Sequence, residues 1–255
     1  MQKNILITNP AVPGAEEVAR IAMTNIDNNA DVSDILDYGK TRNRVIGFSF
    51  GGRRYVVKYF GRPAFPARLL SLFGRRSKAR KSYENSKTVI EAGFDAATPV
   101  AYWEQRCCGV LISSGFLSYC IDLPLVSMIY DESYPRELRD SVRRDLSAFM
   151  LRLHTAGLWP KDFNIGNILL NPRDPEGERR FWLIDLNRFR SGAVPSMREA
   201  MLSFDQLGVR PQDYPFTVAP YAAAKGWDLK KCTSLIEKFH RRYALLKRLK
   251  HPFRH

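Results

Sequence analysis

Cysteine is scarce: Cys107, Cys108, Cys120 and Cys232 are all that 255 residues contain, and none forms a C-x-x-C pair. The adjacent Cys107 and Cys108 are poor material for a disulfide framework, and no spacing matches a metal site. The simplest home is a reducing cytosol. Long apolar runs are missing as well. No stretch approaches the ~20 apolar residues that cross a bilayer, and the apolar segment after Met1 is too short for a signal peptide, so a soluble or peripheral protein is expected. No repeat, low-complexity tract or domain-length linker interrupts the chain. Acidic residues are the other shortage, with 26 Asp plus Glu against 40 Lys plus Arg, a net charge of +14. Such a surplus implies an anionic partner, whether nucleotide, nucleic acid or an acidic membrane face. What remains is ordinary for a folded protein: 45% apolar and 12% aromatic residues, enough for one large domain or two lobes.

The most informative stretch is 153–188. Leu153-His154 precedes Asp162, Asn167 follows five residues later, and Asn167 leads into Ile168, Leu169 and Leu170. After a polar turn (Asn171 to Arg180), a second apolar run, Phe181 to Ile184, ends in Asp185. Two short strands joined by that turn bring Asn167 and Asp185 to the same end of a hairpin. Asp162, Asn167 and Asp185 then offer oxygen donors, which suit Mg²⁺, a hard ion that also takes substrate phosphates. The order D-x-x-x-x-N, strand, apolar-apolar-Asp is the layout of a protein-kinase-like catalytic loop and metal-binding Asp. The bland alternative is a capping Asp, a loop Asn and a strand-end Asp.

Upstream, strands are expected at Ile35–Tyr38, Val45–Phe50 and Arg53–Phe60, with a tight turn at Gly51-Gly52. Residues 1–35 carry little beyond weak helical periodicity from Glu16 to Ile26. Val56-Val57-Lys58 resembles the kinase strand whose lysine holds nucleotide phosphates. The turn between the first two strands has Gly39, Thr41, Arg42 and Arg44 but no G-x-G-x-x-G, so phosphate contacts there rely on side chains such as Thr41 and Arg42, or the turn is merely basic. A helix from about Lys78 to Ala92, stopped at Gly93, supplies Glu84 or Glu91 as the partner of Lys58, with Glu84 preferred. The segment Ala96–Tyr102 leads into a strand and Gly109–Leu117 into another, then comes a hinge at Ser118–Asp122. Leu138, Val142, Leu146, Phe149, Met150 and Leu153 mark an amphipathic helix over Arg136–His154. Further helices are expected near Ser196–Leu207 and Leu229–Leu249.

Taken together, Arg76-Ser77-Lys78-Ala79 through Ser82-Tyr83, Gly93 with Thr98-Pro99-Val100-Ala101-Tyr102, Leu153-His154 through Asn167-Ile168-Leu169, and Ile184-Asp185-Leu186-Asn187-Arg188 resemble the lipopolysaccharide core kinase family, closest to its short Bacteroidetes-type members. The resemblance runs from about Ile35 to Tyr243. It implies an α+β, two-lobed protein-kinase-like fold over 1–255, with a small antiparallel-sheet lobe plus one helix (about 30–117), the hinge (118–122), and a mainly helical lobe (123–255). It also implies ATP and Mg²⁺ as cofactors, Lys58 on the phosphates, Asp162 as the catalytic Asp, and Asn167 and Asp185 as metal ligands. The reaction would be phosphorylation of a Kdo or heptose hydroxyl on a lipid A-linked precursor, at the cytoplasmic face of the inner membrane. Lys161 and Arg188 could face the acceptor's anionic groups or simply be solvated.

The chain departs from the wider kinase pattern at several points. Pro160 stands where kinases usually have His, so the catalytic loop needs another support. Leu-Asn rather than Phe-Gly follows Asp185, more distant relatives would put the helix glutamate at Ser82, and no Ala-Pro-Glu follows. Two other readings stay open: a phosphotransferase for a small molecule or protein, and an inactive nucleotide-binding membrane scaffold. Nucleic acid is not an expected partner, because it leaves the carboxylates unexplained. Finally, Leu69, Leu70, Leu72 and Phe73 lie among Arg68, Arg75, Arg76, Lys78, Arg80 and Lys81. That mixture suits an anionic membrane surface, unless the leucines are core and the cations solvated.

Overall fold

Strand β1 (Gln2–Thr8), in a region whose sequence pattern is weak, forms one edge of a five-stranded sheet in the computed structural model. The structure describes residues 2–27, 43–171 and 181–250. They divide into two units, Met1–Asp122 with Asp185–Arg188, and Leu123–Ile184 with Phe189–His255.

In the first unit β1 is followed by α1 (Ala15–Asp27), β2 (Asn43–Phe50), β3 (Arg53–Phe60), α2 (Phe65–Leu72), α3 (Lys78–Glu91), β4 (Asp95–Ala96), β5 (Pro99–Cys107) and β6 (Val110–Tyr119). The sheet order is β1-β5-β6-β3-β2, antiparallel throughout. Gly51 and Gly52, both at positive φ, make the tight turn between β2 and β3. Alternation along β3 sends Tyr55 and Val57 into a core with Ile46, Val100 and Leu117, against the buried face of α1. The opposite side carries Phe60 and Phe116, which pack with Ala79 and Tyr83 of α3. Trp103 lies directly across from Gly115, and its ring fills the space that any side chain at 115 would need.

Helix α3 starts at Ser77, whose hydroxyl accepts from the Arg80 amide at 3.0 Å, and stops at Gly93, φ +84°. The segment read as a hinge is partly strand, since β6 runs on to Tyr119, and the unit boundary falls after Asp122. The expected strand Ile35–Tyr38 and its basic turn lie outside the described residues, as does most of the turn 171–180.

In the second unit α4 (Arg136–Thr155) buries Val142, Leu146, Phe149, Met150 and Leu153 on one face, as its periodicity requires. Each such fully buried side chain contributes roughly 2 kcal/mol of apolar transfer free energy. Arg143, buried on the same helix, bonds Asp140 at 2.7 Å and the Ile129 carbonyl at 2.6 Å, and lies 3.2 Å from Asp213. Then come β7 (Trp159–Pro160), β8 (Ile168–Leu170), β9 (Phe181–Leu183), β10 (Phe189–Arg190), α5 (Met197–Gln206), α6 (Val218–Ala224) and α7 (Leu229–Lys250). β8 and β9 pair antiparallel, with Ile168 opposite Leu183. Among the described residues no helix is long and apolar enough to cross a membrane.

Candidate active site

Lys58 stands on the α3-facing side of β3, opposite Phe116, with only 18% of its side chain exposed. Burial pushes its ammonium pKa down, and Asp185 partly offsets this. The offset comes from a contact, Lys58 Nζ to Asp185 Oδ1 at 3.5 Å. Asp185 holds a left-handed backbone, φ +60°, which Asp tolerates better than most residues but which still costs of order 1 kcal/mol. Two asparagines stabilise the bend. Asn187 Nδ2 donates to Asp185 Oδ1 at 2.6 Å, and Asn85 Nδ2, from α3, donates to the Leu186 carbonyl at 2.6 Å. Both contacts to the carboxylate fall on Oδ1, so Oδ2 is the oxygen a cation would take.

The Lys58–Glu84 pair expected from the sequence is not formed. Glu84 is held instead by two guanidiniums, Arg80 at 2.7 Å and Arg76 at 2.8 Å. Despite some desolvation, those bonds keep its carboxyl below the ordinary range. Glu91 turns to Lys87, at 4.0 Å, and Ser82 is fully buried. Thr41 and Arg42, expected on the nucleotide, lie outside the described residues.

In the second unit the loop 162–167 closes on itself, which gives the D-x-x-x-x-N spacing a physical reason. The Asp162 carbonyl accepts from the Asn164 amide at 2.8 Å and from Asn167 Nδ2 at 3.4 Å. Asn164 Oδ1 accepts from the Gly166 amide at 2.8 Å, and the Asn167 amide donates back to the Asn164 carbonyl at 2.9 Å. The Asn167 carbonyl then takes the Ile184 amide at 3.0 Å, tying the loop to the end of β9. Because the side-chain bond uses the amide nitrogen, Asn167 keeps its amide oxygen as a donor for a hard cation.

Support for the loop comes from α5. Gln206 Nε2 donates to the Lys161 carbonyl at 2.8 Å, and its Oε1 accepts from the Phe163 amide at 3.0 Å. One side chain therefore clamps the backbone on both sides of Asp162. Pro160 pairs with Phe189, while the buried Phe163 ring lies 6.5 Å from that of His154. The structure thus brings Lys58 to Asp185, and Asp162 to Asn167. Gln206 and Asn85 were not among the residues singled out from sequence, and Asn187 was named only as part of the run Ile184–Arg188. Only Asn187, two positions past Asp185, carried a local hint.

Residues 76–223 match the model of the lipopolysaccharide kinase (Kdo/WaaP) family, more than half of the chain. The chain belongs to that family. It is accordingly a phosphotransferase with an alcohol group as acceptor, of the kind that serves lipopolysaccharide biosynthesis. The matched span includes Asp162, Asn167 and Asp185, while Lys58 precedes it. Among solved structures, WaaP in complex with acyl carrier protein is similar in fold, with a TM-score of 0.59 and 17% identity over 93% of this chain and 98% of that one. The bifunctional kinase-methyltransferase WbdD matches more loosely, at TM-score 0.43 and 19% identity over 77% of this chain and 42% of that one. A MAP kinase from Leishmania major gives TM-score 0.39 and 14% identity over 68% of this chain and 51% of its own. Among curated proteins none matches.

Proposed function

We propose that this lipopolysaccharide kinase transfers the γ-phosphoryl group of ATP to a hydroxyl of Kdo or heptose on a lipid A-linked inner-core precursor. The observation that supports the reading most is the family match, which carries the D-x-x-x-x-N loop and Asp185 together. In this reading Asp162 aligns the acceptor hydroxyl and takes its proton late in a loose transition state. Lys58 meets nucleotide phosphates through an ammonium already paired with a carboxylate. Asn167 would offer Mg²⁺ an amide oxygen and Asp185 a carboxylate oxygen, hard donors of the kind that ion takes alongside phosphates. When bound, the ion neutralises charge on the transferring group. Lys161 and Arg188 are proposed to face the acceptor's anionic groups.

The test is purified protein with Mg-ATP against Kdo-lipid A, the heptosylated precursor and a generic protein substrate. Transfer to one lipid-linked sugar is expected. Asp162→Ala should lower turnover by several orders of magnitude with nucleotide binding nearly intact. Near-normal turnover of Asp162→Ala, or transfer only to protein, would overturn the reading.

A further inference from the structure

Helix α2 is inverted. Its inner side is small and polar: Ser71 is buried, its hydroxyl donating to the Arg68 carbonyl at 2.6 Å and accepting from the Leu111 amide at 3.0 Å. The large apolar residues point the other way. Phe65, Leu69 and Leu72 share one face at helical spacing, with exposures of 74%, 50% and 48%, and Phe73 just beyond is 80% exposed. Scattered exposed leucines need no explanation, but a helix face of three, extended by a phenylalanine, does.

Beside this helix lies a cavity of about 350 Å³, lined by Arg62, Arg75, Arg76, Lys78 and Lys81 and by no Asp or Glu among the described residues. Arg76 pairs with Glu84 at 2.8 Å, and Lys78 lies 5.5 Å from the Phe60 ring centre. The same cations crowd the start of α3, whose first turn contains no acid. Cations there oppose the helix dipole, so the arrangement costs free energy that an anion in the cavity would return.

We propose that the cavity binds a phosphate group of an anionic lipid and seats α2 on the membrane, with Phe65, Leu69, Leu72 and Phe73 below the headgroups. Apolar tips ringed by cations are the composition of an interfacial helix. The core of a protein interface, by contrast, is depleted of charge. The inference rests on the reading of a lipid-linked acceptor and adds how this chain reaches the leaflet that holds it.

The test uses the full chain and vesicles of phosphatidylcholine alone or with phosphatidylglycerol or phosphatidic acid, at low and physiological salt. Wild type should sediment with anionic vesicles only, and less at higher salt. Exposed cations near an anionic leaflet each contribute about fivefold in partitioning, so the triple variant Arg62→Gln, Arg75→Gln, Lys78→Gln should lose up to about a hundredfold. A second variant, Leu69→Ser with Phe73→Ser, keeps the charges and should also release the protein. Both should retain wild-type turnover on a soluble, delipidated sugar acceptor. Equal sedimentation of wild type and the triple variant would overturn the proposal. So would binding of inorganic phosphate by the wild type with no sedimentation on anionic vesicles. Vesicle binding by a wild type that transfers phosphate to no sugar would leave the docking surface standing and sink the proposed reaction instead.

Discussion

Gln206→Met tests whether the clamp around Asp162 matters. Methionine matches glutamine in length and lacks both polar atoms, so the bonds to the Lys161 carbonyl (2.8 Å) and the Phe163 amide (3.0 Å) are lost together. A typical hydrogen bond contributes about 1 kcal/mol net, so about 2 kcal/mol of restraint on residues 161–163 disappears. If that free energy is what holds Asp162 aligned, turnover falls by up to about thirtyfold, since 1.4 kcal/mol is a factor of ten. Lys58 and Asp185 belong to the other unit, so KM for ATP should stay within about twofold. The assay is steady-state transfer to the lipid-linked acceptor at varied ATP, at a temperature where melting curves show the variant folded. Unchanged kcat would refute the positioning argument. A raised KM for ATP at constant kcat would place Gln206 in nucleotide binding instead.

Glu84→Gln removes a carboxylate shared by two exposed guanidiniums, so it should cost under about 1 kcal/mol in a urea melt. Combined with Lys58→Met, its effect on turnover should be additive, and strong coupling in that double-mutant cycle would restore the Lys58–Glu84 pair. His154 is held neutral: burial first, and the Lys225 charge second, lower its pKa from 6.5 to about 3. The unfolded chain binds this proton below about pH 6.5 while the folded chain does not, so the stability is present above that pH and is lost as pH falls. The loss is about 2 kcal/mol between pH 6.5 and 5, at 1.4 kcal/mol per unit. Urea midpoints of wild type and His154→Gln at both pH values check this, and equal slopes for the two proteins would contradict it.

The sequence was legible where local pattern and tertiary role coincide. Ile168–Leu170 and Phe181–Leu183 are apolar runs because their strands are buried, and α4 shows its helical period because one face is core. β1 was opaque because its pairing is remote, Ile5 lying opposite Glu104. α2 was not read as a helix because its large apolar residues face outward, against the rule that periodicity marks the core. Among the candidate residues, Asp162, Asn167 and Asp185 could be picked out by order along the chain. Gln206 could not, since nothing local links it to a loop more than forty residues earlier. Glu84 was misassigned although Arg80, four residues before it on the helix, already offered the partner it takes.

The membership of Asp185 has a consequence for how this protein can be divided. Residues 185–188 belong with Met1–Asp122, yet the residues on either side of them belong with the rest of the chain. A fragment ending at Asp122 would therefore lack the carboxylate that, in the intact chain, offsets the desolvation of Lys58. Burial lowers the pKa of that ammonium and Asp185 raises it again, so the cut removes the contact that counters the burial. The half that bears Lys58 is thus not a transplantable cassette. Any chimera or split reporter built from it must graft in a separate strip bearing Asp185, Leu186 and Asn187 to restore the contact with Lys58.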